Sequence, residues 1–537
     1  MSTMSSGQSP AFMGDPKWNS LAMAAAKLFE QEDYIGAWLV YELLQQWTPQ
    51  FEHHIQTVRE ELSQKGEGGV ELASKTTIHS DKATELQKRL RVAHVVSALG
   101  DERLVNGVYS QIPTNKIPAE LWLARANAIA VVRQKGWWGK WLTRVNRYLE
   151  AYALPPVALR SKPLRTGDSL YMNLESANMM PVTGPLVSIH MSCFNAEATI
   201  ELAIRSLQAQ SYHNFELLIF DDCSSDGSAQ IVRRLAKQDP RIKFVANERN
   251  QGAYVNRNQA LQQAIGEFFT VHDSDDFALP HRLAWAVQHL QSNPAHVAVI
   301  GQWLRVNEQS RFVFKSGWGG VYQHIAVATL MLRTKQALEN VGYWDSVRFA
   351  ADTEYFERLK LVYGEQNVPV ISMPVALALS HSNSLTNHPE HGIDVNNKEG
   401  WSPARSEYAR AWKRWHKESV LAAGKDSDKT QKLKKFLYIP FPVQLRPFNV
   451  PDVLLSKPVA PSVAIAPATS TDCAQKLITP ISSGNALWRN GDLNNALREY
   501  QKIASDSPLF QYVQFNIKMI ERSLRLAQHQ WPKNSNQ

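Results

Sequence analysis

The chain predicts an α/β fold, a mixed and mainly parallel sheet with flanking helices, set between α-helical amino- and carboxy-terminal regions. Three observations carry that expectation. Apolar runs of strand length recur at Leu186–Met191, Phe215–Phe220 and Phe268–Val271. Helical spacing follows the first two, with Ile200, Ala203, Ile204 and Leu207 after one and Ile231, Val232 and Leu235 after the other. Each run ends in polar or acidic residues. In a parallel sheet with crossover helices, a ligand sits at those carboxyl ends of the strands.

Taken in order, residues 1–160 read as helical. Leu21–Leu28 and Ile35–Leu44, parted by Gln31–Asp33, look like an antiparallel pair of the tetratricopeptide type near residues 18–47. Ala119–Tyr152 is a further helical stretch carrying Arg133, Lys135, Trp137, Trp138, Lys140, Trp141, Arg144 and Arg147. It has two readings: tryptophans and cations for the headgroup region of an anionic membrane, or core tryptophans beside a solvated basic face. Residues 161–185, with Pro163, Gly167, Pro181, Gly184 and Pro185, read as a connector into the α/β domain at 186–400. A helical extension follows at 401–455, in which Ser402–Glu418 is expected to close onto that domain. The Pro-rich segment 456–472 reads as a linker. Beyond it, 473–530 carries a second tetratricopeptide-like pair, Ala486–Tyr500 and Tyr512–Leu526, with Leu487, Gly491, Ala496 and Tyr500 at the pattern's positions. A lone pair cannot bury its own apolar face, so self-association or a protein partner is expected at these helical ends.

With 537 residues the chain should hold two to four domains, and 44% hydrophobic with 20% charged residues is the balance of a soluble globular protein. Its three cysteines, Cys193, Cys223 and Cys473, have no metal-type spacing and suit a reducing compartment. No apolar stretch reaches signal-peptide or membrane-spanning form, so a cytoplasmic location is expected, with at most peripheral contact at the inner face of the plasma membrane. The net charge of +8 favours polyanionic partners. No nucleic-acid motif accompanies it.

The chemistry centres on Val271-His-Asp-Ser-Asp-Asp-Phe277. Three carboxylates at a strand end repel one another, a cost that Mg²⁺ or Mn²⁺ would relieve. Standing alone the cluster is equally a solvated acidic turn. Its context is what separates the two: Asn195, Asp221, Asp222, Asp273 and Asp275 all fall at strand ends.

Five segments in order resemble the family 2 glycosyltransferases, which have the GT-A nucleotide-diphospho-sugar-binding fold. They are Val187–Asn195, Ile219–Gly227, Asn250–Asn258, Asp273-Ser-Asp-Asp276 with Pro280, and Ala351–Leu359, and they cover roughly residues 186 to 390. The resemblance implies an inverting, metal-dependent enzyme using Mn²⁺ or Mg²⁺. It would move a sugar from a nucleotide-sugar donor, a UDP-sugar, to a glycan or glycolipid acceptor in bacterial lipopolysaccharide or capsule synthesis. By the same resemblance Asp222 contacts the uracil and ribose, Ser192 and Phe194 line the base pocket with Asn195 beside them, and Asp273 lies near the ribose. Asp275 is expected to hold the metal, with Asp276 sharing that task and His381 as a third ligand. Arg257 would reach the diphosphate.

Asp352 maps onto the base that deprotonates the acceptor hydroxyl. The family often has Glu-Asp at this point, whereas this chain has Ala351-Asp352. Asp352 is also readable as a helix N-terminal cap, with Glu354 and Arg358 pairing at i,i+4 behind it. Arg257 is alternatively a solvated helix-face residue and His381 a hydrogen-bonded surface one. Gly317-Trp-Gly-Gly320 reads as an acceptor-side loop or a plain turn. Two rivals to the enzyme remain: a sugar nucleotidyltransferase, which would need a Gly-rich basic loop that Ser192–Asn195 lacks, and a catalytically idle scaffold, which would not need intact acidic groups.

Overall fold

The computed structural model describes residues 16–31, 34–45, 52–64, 85–109, 112–161, 170–176, 179–314, 322–381, 384, 392, 402–425, 427–439 and 493–502. The Gly317–Gly320 loop, the Pro-rich linker and the segment 512–526 lie outside the described residues, and the last predicted pair is met only by the helix Leu493–Gln501.

Among the described residues seven α-helices come first: α1 (Pro16–Glu30), α2 (Tyr34–Gln45), α3 (Glu52–Gln64), α4 (Glu85–Ser97), α5 (Glu102–Gly107), α6 (Leu121–Val132) and α7 (Trp137–Glu150). α1 lies along α2, as the spacing of their apolar residues predicts, and α6 lies along α7. The stretch from Ala119 to Tyr152 is therefore a hairpin of two helices. The chain turns where Arg133 (φ 51°) and Gly136 (φ 74°) enter the left-handed region, which ends one helix and starts the next.

The strands are β1 (Val157–Leu159), β2 (Leu174–Ser176), β3 (Val187–Cys193), β4 (Phe215–Asp221), β5 (Ile242–Ala246), β6 (Phe268–Val271), β7 (Asp276–Ala278), β8 (Ala298–Asn307), β9 (Gln323–Ile325), β10 (Met331–Arg333) and β11 (Val370–Ser380). β1 and β2 form a small antiparallel pair within the predicted connector. The other nine make one mixed sheet in the order β5-β4-β3-β6-β10-β8-β11-β7, with β9 added to β8. β5, β4, β3 and β6 run parallel; β10 is antiparallel to both its neighbours, and β8 and β11 are again parallel.

The remaining helices are α8 (Ile200–Gln208), α9 (Ser228–Ala236), α10 (Ala253–Gln263), α11 (Arg282–Ser292), α12 (Thr334–Asn340), α13 (Ala351–Tyr363), α14 (Pro403–Ala423), α15 (Lys429–Phe436) and α16 (Leu493–Gln501). α8, α9 and α10 are the crossovers between the parallel strands. β4 shows why both its faces are apolar: Leu217 and Ile219 join a core with α8, α9 and α11, while Leu218 and Phe220 join another with α10, α13, α14 and α15. The amino-terminal helices are covered by the sheet too, since Leu21, Trp38, Leu123 and Trp141 belong to one buried cluster with Phe277, Leu304 and Leu377. Among the described residues no helix is long and apolar enough to cross a membrane.

Candidate active site

Strand order brings the predicted residues to one edge. β3 sits between β4 and β6, pairing Cys193 with Asp221 and His190 with Val271, so the loops leaving all three strands are neighbours. Asn195, held in the left-handed region (φ 48°), ties two of them together: its N–H donates to Ser224 Oγ at 2.9 Å and its Oδ1 accepts from the Ser225 N–H at 2.9 Å. Asp222 secures a third segment. Its Oδ1 accepts from the Gln251 N–H (2.8 Å) and Asn247 Nδ2 (3.1 Å), and its Oδ2 from the Gly252 N–H (2.8 Å). Gly252, at φ 91°, begins α10. Ser192 Oγ reaches the Ala253 carbonyl at 3.3 Å, and Phe194 stands on the rim, 52% exposed.

The acidic loop lies beside this. Burial first and then Asp275 push the Asp273 carboxyl up to about 6; Asp352 acts in the same direction, while Arg257 and Arg305 oppose it. These five charged groups therefore converge. Asp276, placed in β7 and 3% exposed, is raised further by burial, Asp275 and Asp273, against Arg305 and Arg282. In the sheet Asp276 and Arg305 stand in one row on either side of Ala378, and laterally aligned side chains share a face.

Asp275 remains partly exposed and meets His381 Nε2 at 3.0 Å through its Oδ2. That hydrogen bond lifts the imidazole above its usual range. Behind the loop, the buried Tyr171 hydroxyl donates to the Leu377 carbonyl (2.7 Å) and lies 2.9 Å from the Asp275 carbonyl.

Five consecutive residues of α10, Tyr254 to Asn258, are buried, as are Ala260 and Leu261, and Arg257 is 5% exposed, which removes the solvated-face alternative for it. Its guanidinium lies 4.8 Å from the Tyr254 ring centre and 5.4 Å from that of Trp344, and its buried Nε has no hydrogen-bond partner among the described residues. Such a cation, held on aromatic faces with a donor unused, suits an anionic ligand.

Asp352 is the second residue of α13. The N-cap position belongs to Ala350 (φ 72°), so Asp352 is no N-cap, although its Oδ1 accepts from the Thr353 N–H at 2.9 Å within the first turn. The Tyr254 hydroxyl lies 3.4 Å from the Asp352 backbone nitrogen. Arg405, on α14, senses both Tyr254 and Asp352 and lies 4.8 Å from the Phe349 ring centre. The predicted closure of Ser402–Glu418 is thus seen at the site's edge.

Sequence reasoning missed Arg305, Tyr171, Tyr254, Trp344 and Arg405. One signal was available: Arg305 alternates with Trp303 in a strand otherwise apolar over Leu304 and Val306.

The residues fit a divalent cation in part. Asp275 and His381 present a carboxylate and an imidazole side by side, a set that Mg²⁺ or Mn²⁺ would complete with phosphate oxygens and water. Asp276 is turned into the protein. Among the described residues no group of three or more His, Cys, Asp or Glu stands close enough to hold an ion.

Residues 188–351 match the model of Glycosyl transferase family 2. The chain is similar to the UDP-Glc:alpha-D-GlcNAc-diphosphoundecaprenol beta-1,3-glucosyltransferase WfgD of Escherichia coli, 43% identical over 108 residues, 20% of this chain and 42% of that protein. It is also similar to the GalNAc(5)-diNAcBac-PP-undecaprenol beta-1,3-glucosyltransferase of Campylobacter jejuni, 39% identical over 114 residues, 21% of this chain and 37% of that protein. The chain spans less than half the length of these curated relatives. Among solved structures it is similar to S. aureus TarS 1-349 in complex with UDP-GlcNAc, at 18% identity over 64% of this chain and 92% of that one, with a TM-score of 0.34. The mixed sheet with its flanking helices is the GT-A fold, and the α/β domain of this chain belongs to glycosyl transferase family 2.

Proposed function

We propose that this chain transfers a sugar from a UDP-sugar to a glycan or lipid-linked glycan acceptor, inverting the anomeric carbon, in the synthesis of a bacterial surface polysaccharide such as lipopolysaccharide or capsule. The observation that carries this reading is the convergence of Asp273, Asp275 and Asp352 with Arg257 and Arg305 at the strand ends. The names of the two relatives, one with UDP-Glc as donor and both with undecaprenol-linked acceptors, support the choice of substrates.

In this reading Ser192, Phe194, Asn195 and Asp222 shape the nucleoside side, with Asp222 and Asn195 acting chiefly by locking the loops that meet there. Asp273 takes the ribose. Arg257 faces the diphosphate with its unused Nε. Asp275 and His381 would hold the cation, which neutralises charge on the leaving diphosphate. Asp276 acts from beneath, as a buried acid beside Arg305. Asp352 accepts the proton of the acceptor hydroxyl as that oxygen bonds to the anomeric carbon, and the carbon–oxygen bond to the nucleoside diphosphate breaks with its electron pair.

Slow hydrolysis of UDP-glucose by the full chain, with and without Mn²⁺, tests this. Metal-dependent release of UDP that disappears in Asp275→Asn, with the melting temperature kept, is the expected result. A folded chain whose melting temperature no nucleotide sugar raises, with or without Mn²⁺, would leave the idle scaffold instead.

A further inference from the structure

The hairpin of α6 and α7 is not used by the reaction above, yet its tip combines exposed apolar side chains with unopposed cations. Val131, Val132 and Trp138 are exposed there by 37%, 47% and 52%. From Leu121 to Leu149 there are six cations and no carboxylate. Three of the six are spoken for: Arg125 and Arg144 bind Glu102 at 2.5 Å, and Arg147 binds Glu150. The other three, Arg133, Lys135 and Lys140, gather around the apolar tip and form no ion pair among the described residues.

The hairpin is fastened to the domain close to its tip. Trp141 is fully buried, stacks on Phe312 and donates Nε1 to the Ser310 carbonyl at 2.8 Å. Arg133 donates to the Gln309 carbonyl at 3.2 Å. The hairpin is thus fixed to the turn Asn307–Arg311, and Asn307 pairs in register with Ser380, the residue before His381. The tip and the His381 imidazole flank the same turn.

We propose that this tip docks the enzyme on an anionic lipid bilayer, Trp138, Val131 and Val132 entering the headgroup boundary while Arg133, Lys135 and Lys140 meet lipid phosphates. An exposed indole with short apolar neighbours and unopposed cations matches that interface in both polarity and charge. Because the tip borders the turn next to His381, docking presents the site's edge to the membrane, where a lipid-linked acceptor would lie; this last step rests on the function proposed above.

The test is co-sedimentation of the full chain with phosphatidylcholine vesicles with and without phosphatidylglycerol. Binding is expected only to the anionic vesicles. Each cation near such a surface strengthens binding roughly fivefold, so Lys135→Glu with Lys140→Glu should weaken it at least about 25-fold. Trp138→Ala should weaken it in low and high salt alike, because its contribution is apolar. Both variants should keep wild-type melting temperature and UDP-glucose hydrolysis. Vesicle binding unchanged in both variants would overturn the proposal, as would a change in mass by light scattering, which would make the tip a contact between copies. Binding displaced equally by a soluble polyanion and indifferent to Trp138→Ala would overturn it in favour of an acidic polymer. If tip-dependent vesicle binding persists in a chain that hydrolyses no nucleotide sugar, the catalytic reading fails and the docking surface stands.

Discussion

Asp352 and Glu354 sit two residues apart in the first turn of α13 and have opposite fates. Two residues turn a helix by more than half a circle, so the side chains leave on different faces. Asp352 stays half-buried among other carboxylates: its charge adds to that of Asp275 on Asp273. Glu354 is fully buried and fully answered. Arg358 Nε reaches its Oε1 at 2.8 Å, another Arg358 nitrogen its Oε2 at 3.0 Å, and His416 Nε2 its Oε1 at 3.0 Å. Arg358 also donates to the carbonyls of Val341 (2.7 Å), Tyr343 (2.8 Å) and Leu437 (3.3 Å). A buried charge with every partner in place holds structure, here fastening α14 and the segment after α15 to the domain. Carboxylates left in mutual repulsion are arranged for something that arrives later.

The sharpest way to break this contrast is to neutralise each acid in turn. Asp352→Asn should lower sugar transfer about 10²–10⁴-fold, the usual contribution of a general base, with donor affinity nearly unchanged. Its melting temperature should hold, since only the Thr353 N–H contact is altered. Transfer that survives while the protein melts earlier would make Asp352 a structural residue like its neighbour.

Glu354→Gln reverses the expectation. It leaves the Arg358 guanidinium buried without its counter-charge, which costs about 3–5 kcal/mol of stability. Denaturant unfolding would read this, and UDP release per folded molecule should stay near wild type. A loss of hydrolysis without a loss of stability would erase the distinction between the two acids.

pH sharpens it further. Burial raises the Glu354 carboxyl, but Arg358 and His416 outweigh it, so the net shift is below the ordinary 4.5. A depressed carboxyl contributes stability that is present above its unfolded value and lost as pH falls through the folded one. Wild type should therefore lose stability on the acid side of about 4.5, and Glu354→Gln should lose less of it over the same window. Parallel curves would place the acid sensitivity elsewhere.

What the sequence disclosed follows the range of the forces involved. The carboxylates of Asp273-Ser-Asp-Asp276 are neighbours in the chain, so their repulsion is readable without a fold, and the i,i+4 spacing of Glu354 and Arg358 is equally local. That this pair would be buried was not readable, because His416 arrives from 62 residues away. Arg257 was ambiguous for a similar reason. Only the packing around the first turns of α10, where Tyr254 to Asn258 are all buried, excludes a solvated face. The stretch Ala119–Tyr152 reads as one helical run although Gly136 marks a break, since helical composition on both sides masks the two residues at positive φ, Arg133 and Gly136. Arg305 and Tyr171 depend on strand order, which no local pattern carries.

Tyr171 gives the smallest and most specific expectation. Its hydroxyl proton can satisfy one of two carbonyls, and the Leu377 carbonyl at 2.7 Å is nearer than that of Asp275 at 2.9 Å. Tyr171→Phe keeps the ring in its buried place and removes the oxygen alone, which should cost about 0.5–1.5 kcal/mol of stability. Unlike Glu354, Tyr171 fastens β11 at Leu377, the strand that pairs with β7 and ends beside His381, so the same change should also weaken the Mn²⁺ dependence of UDP-glucose hydrolysis by a few-fold. A titration of hydrolysis against Mn²⁺ separates the two effects. Reduced stability with an unshifted metal titration would confine Tyr171 to packing, and the support of the acidic loop would then have to come from the register of β7 on β11 alone.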